Sequence, residues 1–576
     1  MPAIDFGFCG GAYKAANPYQ DSQKAINWYI EVSQDLHSKE LFTLLGSPGK
    51  ASIAQPTAGI GEVRGCWVLP GGVKCLWVIG AQLVLQTMTV PATQTSIAQF
   101  SYRIIGSLLT NSGQVCIRDN GAGGYGIIVD GTYGYYFRIE GAGSFAFSGG
   151  VSNTMTTITL PSLPLNLIFG ATLSDSSGYI PANTTITDID QTGLTVTMSA
   201  AATGTDASDT ITCMIPEFAR ITDPAFLGAD RVAFIDGWLI FNQPGTQNFY
   251  TNAPEPYTLM FAVAFFAKND TNSDNLVTLM ENNRELWLIG ERHTEVWYDA
   301  GGQNFGFSRI PGVSPQIGCA AKQSIARLGD SLVWLGRSER GENVIIKTDQ
   351  YGYVDIGNRA IEHAISSYPL VSDAVGFTYI EDGHLFYVLT FPTADKTWVY
   401  DHTTSIAMSN PVWHERASFN SDSGVFHRDS ANCFVNFQDL LLVGHYQSGN
   451  ILRMSRTTYD DDGAPLIAIR RSPHVWSKQD RGYLFHRALQ VEFAPGVGRV
   501  TGQGSNPQVM LKWFSDGVES YECWTTLGAI GATKNRAMWR NLGKARDREY
   551  EVRVSDPVNR DIVGATLWFE TEDAAA

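Results

Sequence analysis

One motif recurs seven times along this chain: a turn residue, a short apolar strand, a polar turn and a second strand. It starts at Gly71 (GGVKCLWVIGAQLVLQ), Gly123, Asp236 (DGWLIFNQPGTQNFYTN), Arg284, Asp330, Asp382 and Asp439. The last five starts lie 48, 46, 52 and 57 residues apart, near the ~40–50-residue period of blades in propeller repeats. A lone hairpin of this kind cannot bury both faces. Several stacked around one axis can, and they leave few sheet edges open. The pattern therefore predicts an all-β, β-propeller-like ring of six or seven diverged blades. Composition agrees, with 11% aromatic residues and 57 glycines, because aromatics favour pleated sheet and glycine supplies turns.

Between the starts at Gly123 and Asp236 lie 113 residues, about twice the period. Residues 157–213, rich in Thr, Ser, Ala and Gly with short alternating strands, account for the excess. They read as a small β module inserted in a blade loop, where insertions cost little. From 481 onward the strands lengthen and alternate cleanly (ALQVEFAPG, QVMLKWFSDG, REYEVRVSDP), which predicts a C-terminal β-sandwich over 481–576. The ring domain is expected over 61–480, preceded by an arm over 1–60. Within the arm, 22–45 divides evenly between a helix, from the spacing of Ile26, Tyr29, Ile30 and Val32, and an extended aromatic-rich segment.

The formal net charge of −16 disfavours sequence-specific DNA binding, whose affinity comes largely from Lys and Arg neutralising phosphates. A mildly repulsive wall along which a duplex slides is compatible with it. Eight cysteines, at 9, 66, 75, 116, 213, 319, 433 and 523, include no CxxC. They read as reduced, buried small hydrophobes and not as a disulfide scaffold or metal ligands. No basic, apolar leader opens the sequence, and its longest apolar run, 257–267, is far short of the ~20 residues that span a bilayer. Synthesis and folding in the cytoplasm, with no membrane segment, is the expectation.

Gly121-Ala122-Gly123-Gly124-Tyr125-Gly126 has the spacing of a dinucleotide fingerprint, but a strand follows it where a helix is required, so a turn is expected. Asp270, Asn272, Asp274 and Glu281 occupy positions 1, 3, 5 and 12 of a calcium-loop pattern, with Asn275 at the glycine position. Their apolar flanks read as strands, which favours a hairpin loop. Asp460-Asp461-Asp462-Gly463 reads as a turn, and the sequons at Asn183 and Asn269 carry no weight without a secretory signal. His293, His384, His402, His414 and His486 read as hydrogen-bonded structural side chains, and neither HExxH nor GxSxG occurs. No catalytic, cofactor-binding or metal residue is assigned, no cofactor is implied, and a non-enzyme is expected. For Trp524 and Trp539 the core is favoured over an interface, because alternation turns large apolar residues inward.

Residues 284–328, 383–416 and the C-terminal run LQVEFAPGVG…IVGATLWFE, with AINWYIEVSQDLHSKELFTLLGSPG near the start, resemble the packaged-DNA stabilisation proteins of short-tailed phages, also described as tail hub or nozzle proteins. The 157–213 module departs from that family's core and resembles short decoration modules of phage virion proteins. The resemblance implies a noncatalytic virion protein of the tail, assembled in the host cytoplasm. It implies a homo-oligomeric ring, a hexamer, below the portal and its adaptor ring. The ring would seal or extend the DNA channel after packaging, pass DNA through its lumen without sequence recognition, and anchor tailspikes or a tail needle. The alternative is a glycan-binding or glycan-cleaving tail propeller, which needs a funnel lined with arginines and paired carboxylates.

Overall fold

In the computed structural model, residues 3–571 are described apart from 36, 58–60, 94–95, 122–123, 165–166, 191, 253–260, 269–273, 302–304 and 478–480. Each recurring hairpin forms the second and third strands of an antiparallel sheet. The residues that mark the repeats do so for a backbone reason. In four of the sheets the first and second strands are joined by two residues that both sit at positive φ: Asp236/Gly237, Asn283/Arg284, Asp382/Gly383 and Gln438/Asp439. Such turns match the right-handed twist of the strands they join, and Asn, Asp and Gly adopt them most readily.

The first strands of these sheets are Val63–Val68, Cys116–Asp119, Val232–Ile235, Leu276–Asn282, Ile317–Cys319 with Ala326–Leu328, Val375–Glu381 and Ala431–Phe437. Each lies against the next, and the last lies against the first. Among the described residues, seven blades thus close a ring with these strands innermost; they are numbered 1 to 7 in that order. Gly49–Ala54 closes the ring by supplying the fourth strand of blade 7, antiparallel to Ile451–Ser455. A Cβ at Gly49 would stand 2.4 Å from the Thr458 carbonyl oxygen, so only glycine lets this strand seat.

Blade 2 is interrupted between its third strand, Gly134–Arg138, and its fourth, Phe218–Arg220. The insertion is a closed six-stranded barrel running from Gly143–Val151 to Asp206–Ile215. Its opening strand lies ahead of the Thr/Ser-rich stretch; GSFAFSGGV is rich in Gly and Phe, so composition does not mark it. Ile158, Leu173, Val196 and Ile211 fill the barrel, and their cluster runs on into blades 2 and 3 through Ile127, Val232 and Phe241.

The helix considered for 22–45 does not form. The segment makes three strands, Ser22–Ile26, Trp28–Val32 and Phe42–Gly46. Ala25, Ile26, Trp28, Tyr29 and Ile30 are all buried, on both sides of the chain, which a helix with one apolar stripe cannot achieve. Pairing with distant strands overrides the weak helical spacing. Asn27, at φ 55°, breaks the run. Its amide nitrogen donates to the carbonyls of Ala417 and Ile467 at 2.8 and 2.7 Å.

These strands belong to the sandwich as much as to the arm. Trp28–Val32 and Phe42–Gly46 extend a sheet with Ile562–Thr571, Leu484–Phe493 and Ala537–Arg540. Ser22–Ile26 joins blade 6 to Ala468–Arg471, Asp547–Val554 and Gln508–Ser515, so blade and sandwich share one continuous thirteen-stranded sheet. Trp28, Leu489, Val491, Leu511, Tyr550 and Trp539 pack between the two layers. Trp524 does not: it is 63% exposed. Alternation along Cys523–Thr526 turns Cys523 toward the core and Trp524 outward. All eight cysteines are free; Cys75, Cys116, Cys213 and Cys319 are buried, and Cys9, Cys66, Cys433 and Cys523 are half-buried.

Candidate functional site

Polar side chains gather at three places: the inner rim of the ring, its closing seam, and the junction with the sandwich. At the rim, Arg118 of blade 2 pairs with Glu281 of blade 4 at 2.9 Å. A pair that skips a blade must run on the inner side of the intervening strand. Arg327 of blade 5 approaches the same carboxylate at 3.6 Å and donates to the Glu281 carbonyl at 2.8 Å. The Arg118 guanidinium also lies 4.4 Å over the Trp67 ring of blade 1, and the Thr378 hydroxyl of blade 6 donates to the Arg327 carbonyl. The result is a belt that links the inner strands of blades 1, 2, 4, 5 and 6.

At the seam, the Lys50 ammonium on the closing strand lies 2.7 Å from Asp429 and 3.3 Å from Asp461, all three buried. Burial alone would discharge the lysine, but the two carboxylates outweigh it and hold its pKa above the ordinary value. Burial likewise works against ionised Asp461, yet Lys50 and the hydroxyls of Ser418 and Ser430 bring its pKa below the usual range. The sequence Asp460-Asp461-Asp462-Gly463 reads as a turn. The turn is there, with Asp462 and Gly463 at positive φ, but one of its acids points inward.

At the junction, the His384 ring lies between Asp401 (2.8 Å from Nδ1) and Glu31 of the sandwich strand (2.7 Å from Nε2). Burial opposes the charged imidazole, but hydrogen bonds and charge from Asp401 and Glu31 raise its pKa to about 9. Asp401 also caps the helix His402–Met408, accepting from the Thr404 amide and hydroxyl. Every partner of the ring is an acid or a hydroxyl already donating to one, so the group acts as an ionic clamp. Behind it, His414 is fully buried with neither ring nitrogen hydrogen-bonded, contrary to the expected bonding; burial and the neighbouring Arg416 and His384 push its pKa well down. His486 hydrogen-bonds the Tyr550 hydroxyl at 2.7 Å in the sandwich core, and burial, with Arg548, lowers its pKa to about 3.

Of the calcium-loop pattern, Asp270 and Asn272 lie outside the described residues. Asp274 accepts from the Arg292 and His293 amides, and Glu281 is engaged by the two arginines. Among the described residues, no three His, Cys, Asp or Glu side chains are placed to hold a metal. Ala122 and Gly123 of the glycine-rich motif lie outside the described residues, and the strand Tyr125–Val129 follows it. Among the described residues no helix is long and apolar enough to cross a membrane. No sequence signal pointed to Lys50, Asp429 or Glu31, because their partners lie hundreds of residues away.

Solved structures that this chain matches include the N-terminal domain of Nup159 (8% identity, 75% of this chain and 99% of that one, TM-score 0.35). They also include Hsv2 of Kluyveromyces lactis (8%, 64% and 96%, 0.23) and the endosialidase of phage phi92 (12%, 68% and 75%, 0.24). Likenesses this distant say nothing of function. No curated protein matches significantly. Two family models do match: residues 131–459 fit the β-propeller of bacteriophage P22 Gp10, and residues 471–570 fit its β-sandwich. The chain belongs to the bacteriophage P22 Gp10 family of packaged-DNA stabilisation proteins, and is a structural component of a phage tail.

Proposed function

We propose that this protein is the nozzle of a short-tailed phage: a ring of copies, six by family resemblance, set below the portal's adaptor ring. The ring seals or extends the DNA channel after packaging and anchors tailspikes or a tail needle. The observation that carries this reading is the thirteen-stranded sheet shared by blade 6 and the sandwich. A part that holds pressurised DNA and several partners needs domains that do not swing, and a common hydrogen-bonded sheet couples them rigidly. The Arg118–Glu281–Arg327 belt ties the inner strands of blades 2, 4 and 5 to one another, which stiffens the ring against the same load. Exposed Tyr521, Tyr19 and Trp524 (93%, 75% and 63%) suit contacts with neighbours, since aromatics anchor interfaces.

Deleting the gene should give filled heads that leak DNA or lack tails. Intact, infectious particles that retain DNA without this chain would rule the role out.

A further inference from the structure

The sandwich is charged unlike the rest of the chain. Residues 471–570 hold fourteen Lys and Arg against eleven Asp and Glu, a net of +3, while the whole chain stands at −16. Part of that charge is gathered in one strip. Phe485 pairs with Lys544 across two strands of the sheet margin, and Tyr483, Arg487 and Arg546 gather around that pair through ring contacts. The Lys544 ammonium lies 4.7 Å from the Tyr483 ring centre and 5.8 Å from that of Phe485. Arg546 covers Tyr483 at 4.8 Å, Arg487 covers Phe485 at 5.8 Å, and Arg481 covers Trp476 at 5.6 Å. Trp476 pairs with Asp547, next to Arg546, which makes the strip continuous. Arg481, Arg487, Lys544 and Arg546 are all exposed.

Two recesses open along it. One, of about 640 Å³, lies at Trp476 between Arg481 and Arg546; the other, of about 260 Å³, lies at Phe485, Arg487 and Lys544. The carboxylates on this face are already engaged: Asp547 holds His474 at 2.8 Å, and Glu570 holds Arg487. That leaves Arg481, Lys544 and Arg546 with no ion pair among the described residues.

We propose that this strip binds the phosphodiester backbone of duplex DNA without reading its sequence. Cations laid over rings have their heads fixed and their stems dehydrated. The same cations cover the ring faces, so the ligand meets positive charge and not a bare stacking platform. That favours a duplex backbone over unstacked bases. The inference rests on the reading that this chain lies along the path of DNA, and it puts the contact on the sandwich, away from the propeller axis.

The test is fluorescence anisotropy of a labelled random-sequence duplex with the full-length chain, between about 50 and 200 mM salt. Affinity should fall with salt at a log–log slope of about −0.9 per phosphate contacted. The triple variant R481A/K544A/R546A should flatten that slope by about 3, whereas Arg340→Ala, an exposed cation of blade 5, should leave it unchanged. Melting curves confirm that the variants fold. Absence of binding at the lowest salt, or equal binding by the triple variant, would overturn the proposal. So would tighter binding of a single strand or of heparin than of the duplex. Loss of self-association in the triple variant, with duplex unbound, would make the strip a contact between copies and sink the idea as well. None of these results touches the virion role, which fails separately if immunoblots of purified particles lack the chain.

Discussion

The propeller and the sandwich solve one problem, burying both faces of a sheet, by opposite routes. Blades 3 to 6 are each drawn from one continuous stretch, so most of their pairings are local hairpins, while the seam at Gly49–Ala54 and the pairing of Ser22–Ile26 with blade 6 reach across the chain. The sandwich is built from both ends: Trp28–Val32, Phe42–Gly46 and Ala3–Ile4 join strands that follow position 484. Its stability depends on closing long loops, that of the propeller on repeating short ones. A ring made of repeats has one weak point, and there the protein places buried ions. The sandwich buries charge as well, but Arg548 and Arg560 there donate to backbone carbonyls beside a large apolar cluster instead of pairing with acids at a closing strand.

That contrast can be broken in order of expected effect. Lys50→Met leaves Asp429 and Asp461 buried without their cation and should cost about 3–5 kcal/mol, read from the denaturation midpoint. Early proteolytic release of the closing strand should accompany it. An unchanged midpoint would mean that the seam does not hold the ring. Trp539→Ala, in the apolar centre, should cost about 3–5 kcal/mol with no new pH dependence.

The junction lies between these extremes. His384 has its folded pKa raised to about 9, above an unfolded value of about 6.5. Its contribution is therefore complete below about pH 6.5 and lost as pH rises through 9, a swing of about 3 kcal/mol. His384→Asn should flatten the melting profile over that window; a variant that keeps the alkaline loss would place its origin elsewhere. His486 behaves in the opposite sense. Its folded pKa is lowered to about 3, so the stability of its neutral form is present above about pH 6.5 and drains away as pH falls toward 3. His486→Gln should make the protein less sensitive to acid. The smallest effect belongs to Trp524→Ala, which should change stability by no more than about 0.5 kcal/mol.

The same contrast sets what can be read from the amino acids. Asp236-Gly237, Asp382-Gly383 and the apolar runs after them announce the blades, because turn chemistry and period lie within one short window. KAINWYIEV does not announce a strand: its partners Glu415, Ile469 and Leu45 impose the conformation, and two of them are over 300 residues away. Trp524 was misplaced because alternation fixes which residues share a face but not which face is covered. The strip around Tyr483 and Lys544 was invisible for a related reason, since two strands must meet before cations and rings can interleave. Asp461 sits in a run that reads as a turn, and nothing near it in the sequence marks it or Lys50 as buried.

The closing strand also sets a timetable for synthesis. Lys50 leaves the ribosome long before Asp429, 379 residues downstream, and at ~5–20 residues per second the wait is about 20–75 s. Throughout that interval an unpaired strand and a lone ammonium have no native home. Premature pairing with another nascent chain is the hazard this order creates, and a slow final step, independent of blade formation, is the kinetic signature it should leave.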